Sequence, residues 1–199
     1  MTAPVYPTLE ALLSAVRGCR ACEAHLPLGP RPVLSAGATA RILVVGQAPG
    51  LRVHNTGIPW DDRSGDRLRV WMGVDKDVFY DDSRIAIIPM GYCYPGRSNG
   101  GDMPPRPECA TLWLDQLLAK LPRIQLTLLI GQYAQRHFLG ACRKPSLAAT
   151  VRAWRDYAPH FLPLPHPSPR NQPWRQRHPW FEQQFVPVLR ARVNALVAC

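Results

Sequence analysis

The chain has 199 residues, 46% of them hydrophobic, and Lys+Arg 24 against Asp+Glu 14 give a formal net charge of +10. That size and composition read as one globular domain, 1–199, long enough to bury a core. No apolar run approaches the length of a membrane span, and the opening Met1-Thr2-Ala3-Pro4-Val5-Tyr6 lacks the pattern of a secretory signal. A cytoplasmic setting is therefore expected, where six cysteines read as thiols or metal ligands rather than disulfides.

In chain order, Thr8 is placed to cap a first helix through Leu9, Leu12, Leu13 and Val16, whose spacing is amphipathic. A Pro/Gly-rich connector, Leu26 to Gly37, leads to a strand at Arg41 to Val45. A helix is predicted from about Ser64 to Met72 and a second strand from Arg84 to Ile88. The stretch Gly91 to Pro107, rich in Gly, Pro and Asn, reads as an irregular loop. A helix over Pro107 to Leu121 and a strand over Gln125 to Ile130 follow. Two short helices, Gln132 to Leu139 and Ser146 to Tyr157, precede a last strand at Phe161 to Leu164. The C-terminal helix, Pro179 to Val197, carries Pro187, which should kink it. Strands alternating with helices predict a three-layer α/β/α architecture around a mostly parallel, four-stranded sheet.

Two segments that follow apolar runs stand out: Gly46-Gln47-Ala48-Pro49-Gly50 and His166-Pro167-Ser168-Pro169-Arg170-Asn171. Strand ends at one edge of an open α/β sheet are where such folds place their chemistry. The first segment continues into His54-Asn55-Thr56-Gly57-Ile58-Pro59-Trp60-Asp61-Asp62-Arg63-Ser64-Gly65. Together the two segments resemble the signature loops of the uracil-DNA glycosylase superfamily. The first, with its Gly57, Pro59, Trp60 and Arg63-Ser64-Gly65, is similar to that of the iron–sulfur uracil glycosylases. The second resembles the single-strand-selective monofunctional uracil glycosylases.

The resemblance implies a uracil-DNA glycosylase-like fold and roles for particular residues. Gln47, Ala48 and Trp60 would hold the base, with Trp60 stacking on it through a large apolar face; core filler is the alternative for Trp60. His166 would donate to the base carbonyl as charge builds on the leaving group. Ser168, Arg170 and Asn171 would hold the backbone beside the flipped nucleotide. Arg175 and Arg177 would meet phosphates, and Trp174 would be a wedge in the duplex or, with Trp180, a staple to the C-terminal helix. The chain departs from the iron–sulfur family in having Gln47 where those proteins have Glu. The activator of water is left open among Gln47, His54, Asn55, Asp61 and Asp62, and Asp61-Asp62 equally suit a helix cap. Pro89 stands where the family reads the base with Asn, so Asn99 or the backbone of Met90 and Gly91 would supply that contact.

Cys19, Cys22, Cys93 and Cys109 follow the order of the family's cluster ligands, which implies a [4Fe–4S] cluster. Zinc and free thiols are the alternatives. Cys142 and Cys199 match nothing. The expected partner is DNA carrying a damaged base, with free uracil as product, no membrane association and a monomeric state. Arginine's planar fork suits phosphate, and no motif holds Lys76, Lys120 or Lys144, the lysines of the chain. The reading is a monofunctional DNA glycosylase. Its rivals are a non-catalytic nucleic-acid binding module and another α/β enzyme acting on a small nucleotide.

Overall fold

The computed structural model describes residues 5–98 and 101–198; Asn99 and Cys199 therefore lie outside the described residues. Helix α1, Leu9–Arg17, starts where Thr8 Oγ1 accepts the Ala11 N–H at 3.2 Å and buries Leu9, Leu12, Leu13 and Val16. Strand β1, Ile42–Val45, is buried throughout. Helix α2, Leu51–Thr56, follows directly and ends at Gly57; no apolar stripe announces it. Helix α3, Arg63–Met72, is capped by Asp62, whose Oδ1 accepts the Gly65 N–H at 2.8 Å. Helix α4, Lys76–Tyr80, leads into strand β2, Ile85–Ile87.

The stretch read as irregular holds a small hairpin instead. Strands β3, Arg97–Ser98, and β4, Gly101–Asp102, pair antiparallel. The next helix opens as a wide π-type turn, Ala110–Leu114, before helix α5, Asp115–Ala119. Strand β5, Leu126–Ile130, helix α6, Gly131–Leu139, helix α7, Leu147–Arg152, and strand β6, Phe161–Leu164, follow. The segment after His166, read as a loop, forms a short turn and then helix α8, Gln172–Arg177. The C-terminal helix has a π-type turn, Phe181–Phe185, ahead of helix α9, Val186–Val197. Pro187 falls in the first turn of α9, just after this wider turn.

The main sheet has the order β2-β1-β5-β6, with every pair parallel. Alternation of side chains divides the core in two. Ile42, Val44, Ile85, Ile87, Leu128 and Leu162 face α3, the π-type turn at Phe181 and α9. Leu43, Val45, Ala86 and Leu129 face α1, α5 and α6. A buried aliphatic or aromatic side chain contributes roughly 1.5–3 kcal/mol. Covering both faces therefore favours the continuous apolar runs seen in these strands. Among the described residues no helix is long and apolar enough to cross a membrane.

Candidate active site

The chain leaves β1 toward β2 on one side and later adds β5 on the other, so the strand order reverses between β1 and β5. The crevice at the carboxyl ends of such strands is the favoured place for a ligand. Here the turn after β1 is fixed by the extension of β2: the N–H groups of Met90 and Gly91 donate to the carbonyls of Gly46 and Gln47, each at 2.9 Å. Those two N–H groups are therefore spent on the fold. At the other end, buried Gln135 donates from Nε2 to the carbonyls of Leu129 (3.2 Å) and Leu164 (3.0 Å), tying the end of β5 to that of β6. This tie steadies the segment that carries His166.

Between these segments lies a cavity of about 260 Å³. Val33, Pro49, Val53, Pro59, Ile87 and Pro89 give it apolar surface. Gln47, Trp60, Asp62, Asp102, His166, Ser168 and Arg170 supply indole and polar groups. Trp60 adopts φ 57°, a left-handed conformation that costs a bulky residue about 1–3 kcal/mol. Two glycines let it sit there. A Cβ on Gly65 would lie 1.7 Å from the Trp60 carbonyl oxygen, and one on Gly46 would lie 2.8 Å from the indole. Buried Arg69 reaches the same carbonyl at 3.4 Å and also meets Tyr80 Oη at 3.2 Å and Asp66 at 2.6 Å. The result sets the Trp60 ring 5.6 Å from that of His166, at an interplanar angle of 30°.

His166 has a defined proton. The Ser168 N–H donates to its Nδ1 at 3.2 Å, so in the neutral ring the hydrogen is on Nε2. Burial holds its pKa below the ordinary histidine range, against the opposing pull of Asp62 and Asp102. The loop around it is internally braced. Asn171 Nδ2 donates to the His166 carbonyl at 2.8 Å, and Ser168 Oγ accepts the Arg170 N–H at 3.3 Å. A neutral N–H donor and a flat indole at one cavity form a site for a planar carbonyl-bearing ring.

A family model described as the Uracil DNA glycosylase superfamily matches residues 34–190. The chain belongs to that superfamily. Membership points to DNA glycosylase activity in general, on DNA as substrate. The match takes in both loops of the cavity, together with Cys93 and Cys109, and begins after Cys19 and Cys22.

In this superfamily member, Gln47, Ala48, Trp60 and His166 are brought to one cavity, with Ser168 and Arg170 at its edge. Trp60 also packs against the core, so it is pocket wall and packing residue at once. Gln47 Nε2 donates to the Met103 carbonyl at 3.0 Å, which leaves its oxygen as the available end. His54 is buried against Tyr94, with ring centroids 6.0 Å apart, and lies outside the cavity lining. Its Nδ1 has no hydrogen-bond partner, and burial lowers its pKa. Asp61 is also outside the lining; its charge is felt at Tyr80. Its neighbour Asp62 caps α3, one of the two roles weighed for the pair, and its side chain also lines the cavity.

Beyond His166 the expected DNA contacts separate. Arg170 and Arg177 are exposed. Arg175 has a side chain only 9% exposed, 3.5 Å from Glu182, with Nη1 buried and unpartnered. The Trp174 ring stacks on His178 at 4.4 Å and meets Trp180 and Phe181 edge-on. That is the staple arrangement rather than a projecting wedge. Sequence reasoning missed Asp102 and Ser64 as lining residues. Asp102 sits in the hairpin read as loop, where no periodicity points to a direction; only the fold brings it over the cavity.

The four cysteines singled out in the sequence line a second, small cavity of about 20 Å³, with Leu26, Pro30, Pro32, Tyr92 and Arg106. The Tyr92 N–H points at Cys109 Sγ at 3.4 Å, a donor arrangement suited to a thiolate. Burial pushes the thiol of Cys93 up to about 11 and that of Cys109 up to about 12, which makes them poor nucleophiles near neutrality. Among the described residues no group of three or more His, Cys, Asp or Glu is arranged to hold a metal ion. Cys142 is exposed and apart from this set.

Proposed function

We propose that this protein is a monofunctional DNA glycosylase that removes uracil or a related deaminated base by hydrolysing its bond to the sugar. The observation that carries the reading is the tautomer of His166 beside Trp60. The flipped base stacks on the indole, and the Nε2–H of His166 donates to its carbonyl. As the C–N bond lengthens, negative charge collects on the base, and this donor gains strength without giving up its proton. A donor that acts mainly on developing charge contributes to rate more than to affinity.

The apolar surface around Trp60 supports base binding, and Pro89 leaves the base edge to be read by other groups, with Asn99 the expected one. Ser168, Arg170 and Arg177 are the proposed contacts to phosphate, with Asn171 bracing the loop. Monofunctional chemistry is supported by the lysines: none lines the cavity, Lys120 is bonded to the Pro7 carbonyl at 2.8 Å and Lys144 to Asp156 at 2.7 Å. Among the described residues no amine lines the site to offer a Schiff-base route to strand cleavage. The protein is proposed to act as a cytoplasmic monomer, releasing the free base.

Cys19, Cys22, Cys93 and Cys109 are the proposed holders of a [4Fe–4S] cluster. Four sulfurs around one cavity fit a thiolate-bound group. Zinc held by the same four thiolates is the alternative. When bound, the cluster would cross-link the segment after α1 to the two ends of the hairpin loop. Iron near four per chain in anaerobically purified protein is expected, whereas stoichiometric zinc would favour the other metal.

Activity is tested with oligonucleotides each carrying one deaminated base, single- and double-stranded, incubated with the protein and then treated with alkali. Alkali-labile sites at uracil or a related lesion, with none before alkali, are expected. DNA binding with no labile site on any lesion would identify a non-catalytic base-binding module instead.

A further inference from the structure

The hairpin of β3 and β4 is held over the turn after β1. Gln47 donates to the Met103 carbonyl at 3.0 Å, and the Met103 N–H returns to the Gly96 carbonyl at 3.0 Å. Asp102 leans from this hairpin onto the first loop, since a Cβ on Gly50 would lie 3.5 Å from its Oδ2. Its side chain lines the cavity that holds His166 and makes no hydrogen bond or ion pair with another described residue. From the glycosylase reading above, on which this inference rests, we infer that Asp102 is the catalytic base that holds and deprotonates the attacking water.

The other candidates are each committed elsewhere or unsuited. Gln47 offers an amide, which orients water and takes no proton. His54, Asn55 and Asp61 are outside the cavity lining. Asp62 lines the cavity with one oxygen spent on the Gly65 N–H at 2.8 Å. Asp102 alone among the lining residues brings an ionisable acceptor free of such a bond. It also comes from a different segment than His166, one on the hairpin above the first loop, the other after β6. One group can then attend to the sugar while the other attends to the base. Both Asp102 and Asp62 are close enough for their charges to act on the His166 ring.

The step balances as follows. The oxygen of water bonds to the anomeric carbon of the sugar as the bond from that carbon to the base nitrogen breaks. The bonding pair leaves with the base, whose anion is held by the Nε2–H of His166. Asp102 takes one proton from the water and returns it, directly or through solvent, to the departed base. The products are the free base and an abasic sugar bearing the new hydroxyl. A negative group near the strand also repels phosphate, so Asp102 contributes to cleavage at a small cost to binding.

The test is single-turnover excision together with affinity for the same uracil-containing oligonucleotide, using full-length wild type, Asp102→Asn, Asp102→Glu and Asp62→Asn. Asp102→Asn is expected to slow excision by about 10²-fold or more while binding as tightly as wild type or more tightly. Asp102→Glu, which keeps a carboxylate, should recover part of the rate. A residue that merely braced the hairpin would lose affinity and would not be rescued by Glu. An active wild type with Asp102→Asn cleaving at the wild-type rate would overturn the assignment and leave the glycosylase reading intact. So would loss of cleavage confined to Asp62→Asn. A wild type that excises nothing would overturn the reading itself, and this assignment with it.

Discussion

Burial drives an imidazole toward its neutral form, while nearby carboxylates favour the charged one. At His166 the two act against each other through the cavity wall and through Asp62 and Asp102, and burial prevails. His54, also buried and beside Arg31, is shifted the same way. Neutral burial has a consequence for stability. Below the ordinary histidine pKa, about 6.5, the unfolded chain takes up protons that the folded chain does not, so stability is lost as pH falls through that value. Tm should therefore drop between about pH 7 and pH 5, and less steeply in His166→Gln. Identical slopes in the two proteins would mean that the pKa of His166 is the same in the folded and unfolded chains. The residues of the two signature loops were legible in the sequence because their types carry chemistry at fixed spacing. The tautomer of His166 was not, because it depends on a backbone N–H two residues on.

Among the elements, α3 is the one on which the cavity depends most. It begins at the Asp62 cap, and its Gly65 lies against the carbonyl of strained Trp60. Gly65→Ala should destabilise the protein by on the order of 3 kcal/mol, since a backbone oxygen cannot yield as a flexible side chain would. It should also lower excision by displacing the indole; denaturant unfolding alongside a rate measurement checks both. Helix α8 has a different origin. Gln172–Arg177 has no apolar stripe, so nothing local predicts a helix, and a segment this short does not hold alone. It is secured by Trp174, packed among His178, Trp180 and Phe181. Trp174→Ala is expected to cost on the order of 1–3 kcal/mol and to reduce excision equally on single- and double-stranded DNA. A loss confined to duplex would make Trp174 a wedge after all. The main strands were legible as apolar runs, and α1 and α3 by cap and stripe. The hairpin of β3 and β4 was not, because its two-residue strands are held by contacts with the first loop and not by propensity.

At the scale of the whole molecule, a net charge of +10 supplies a field that draws DNA in, while position decides which arginines meet it. Arg170 and Arg177 are exposed beside the His166 loop, whereas Arg175 is folded inward toward Glu182. Neutralising either exposed arginine should reduce the salt dependence of binding by about one unit of slope. Arg175→Ala should leave the slope nearly unchanged and lower stability instead. An altered slope in Arg175→Ala, with none in the other two, would place the strand on another face. Charge was plain from composition, but its division into surface and interior required the packing of α8 against the turn at Phe181. The central claim is that a neutral His166 stabilises the departing base. It is tested most directly by single-turnover excision of uracil with wild type and His166→Ala, with affinity for the uncleaved oligonucleotide measured in parallel. A rate lower by about 10²–10³-fold at nearly unchanged affinity is the predicted result. Excision by His166→Ala at the wild-type rate would contradict it.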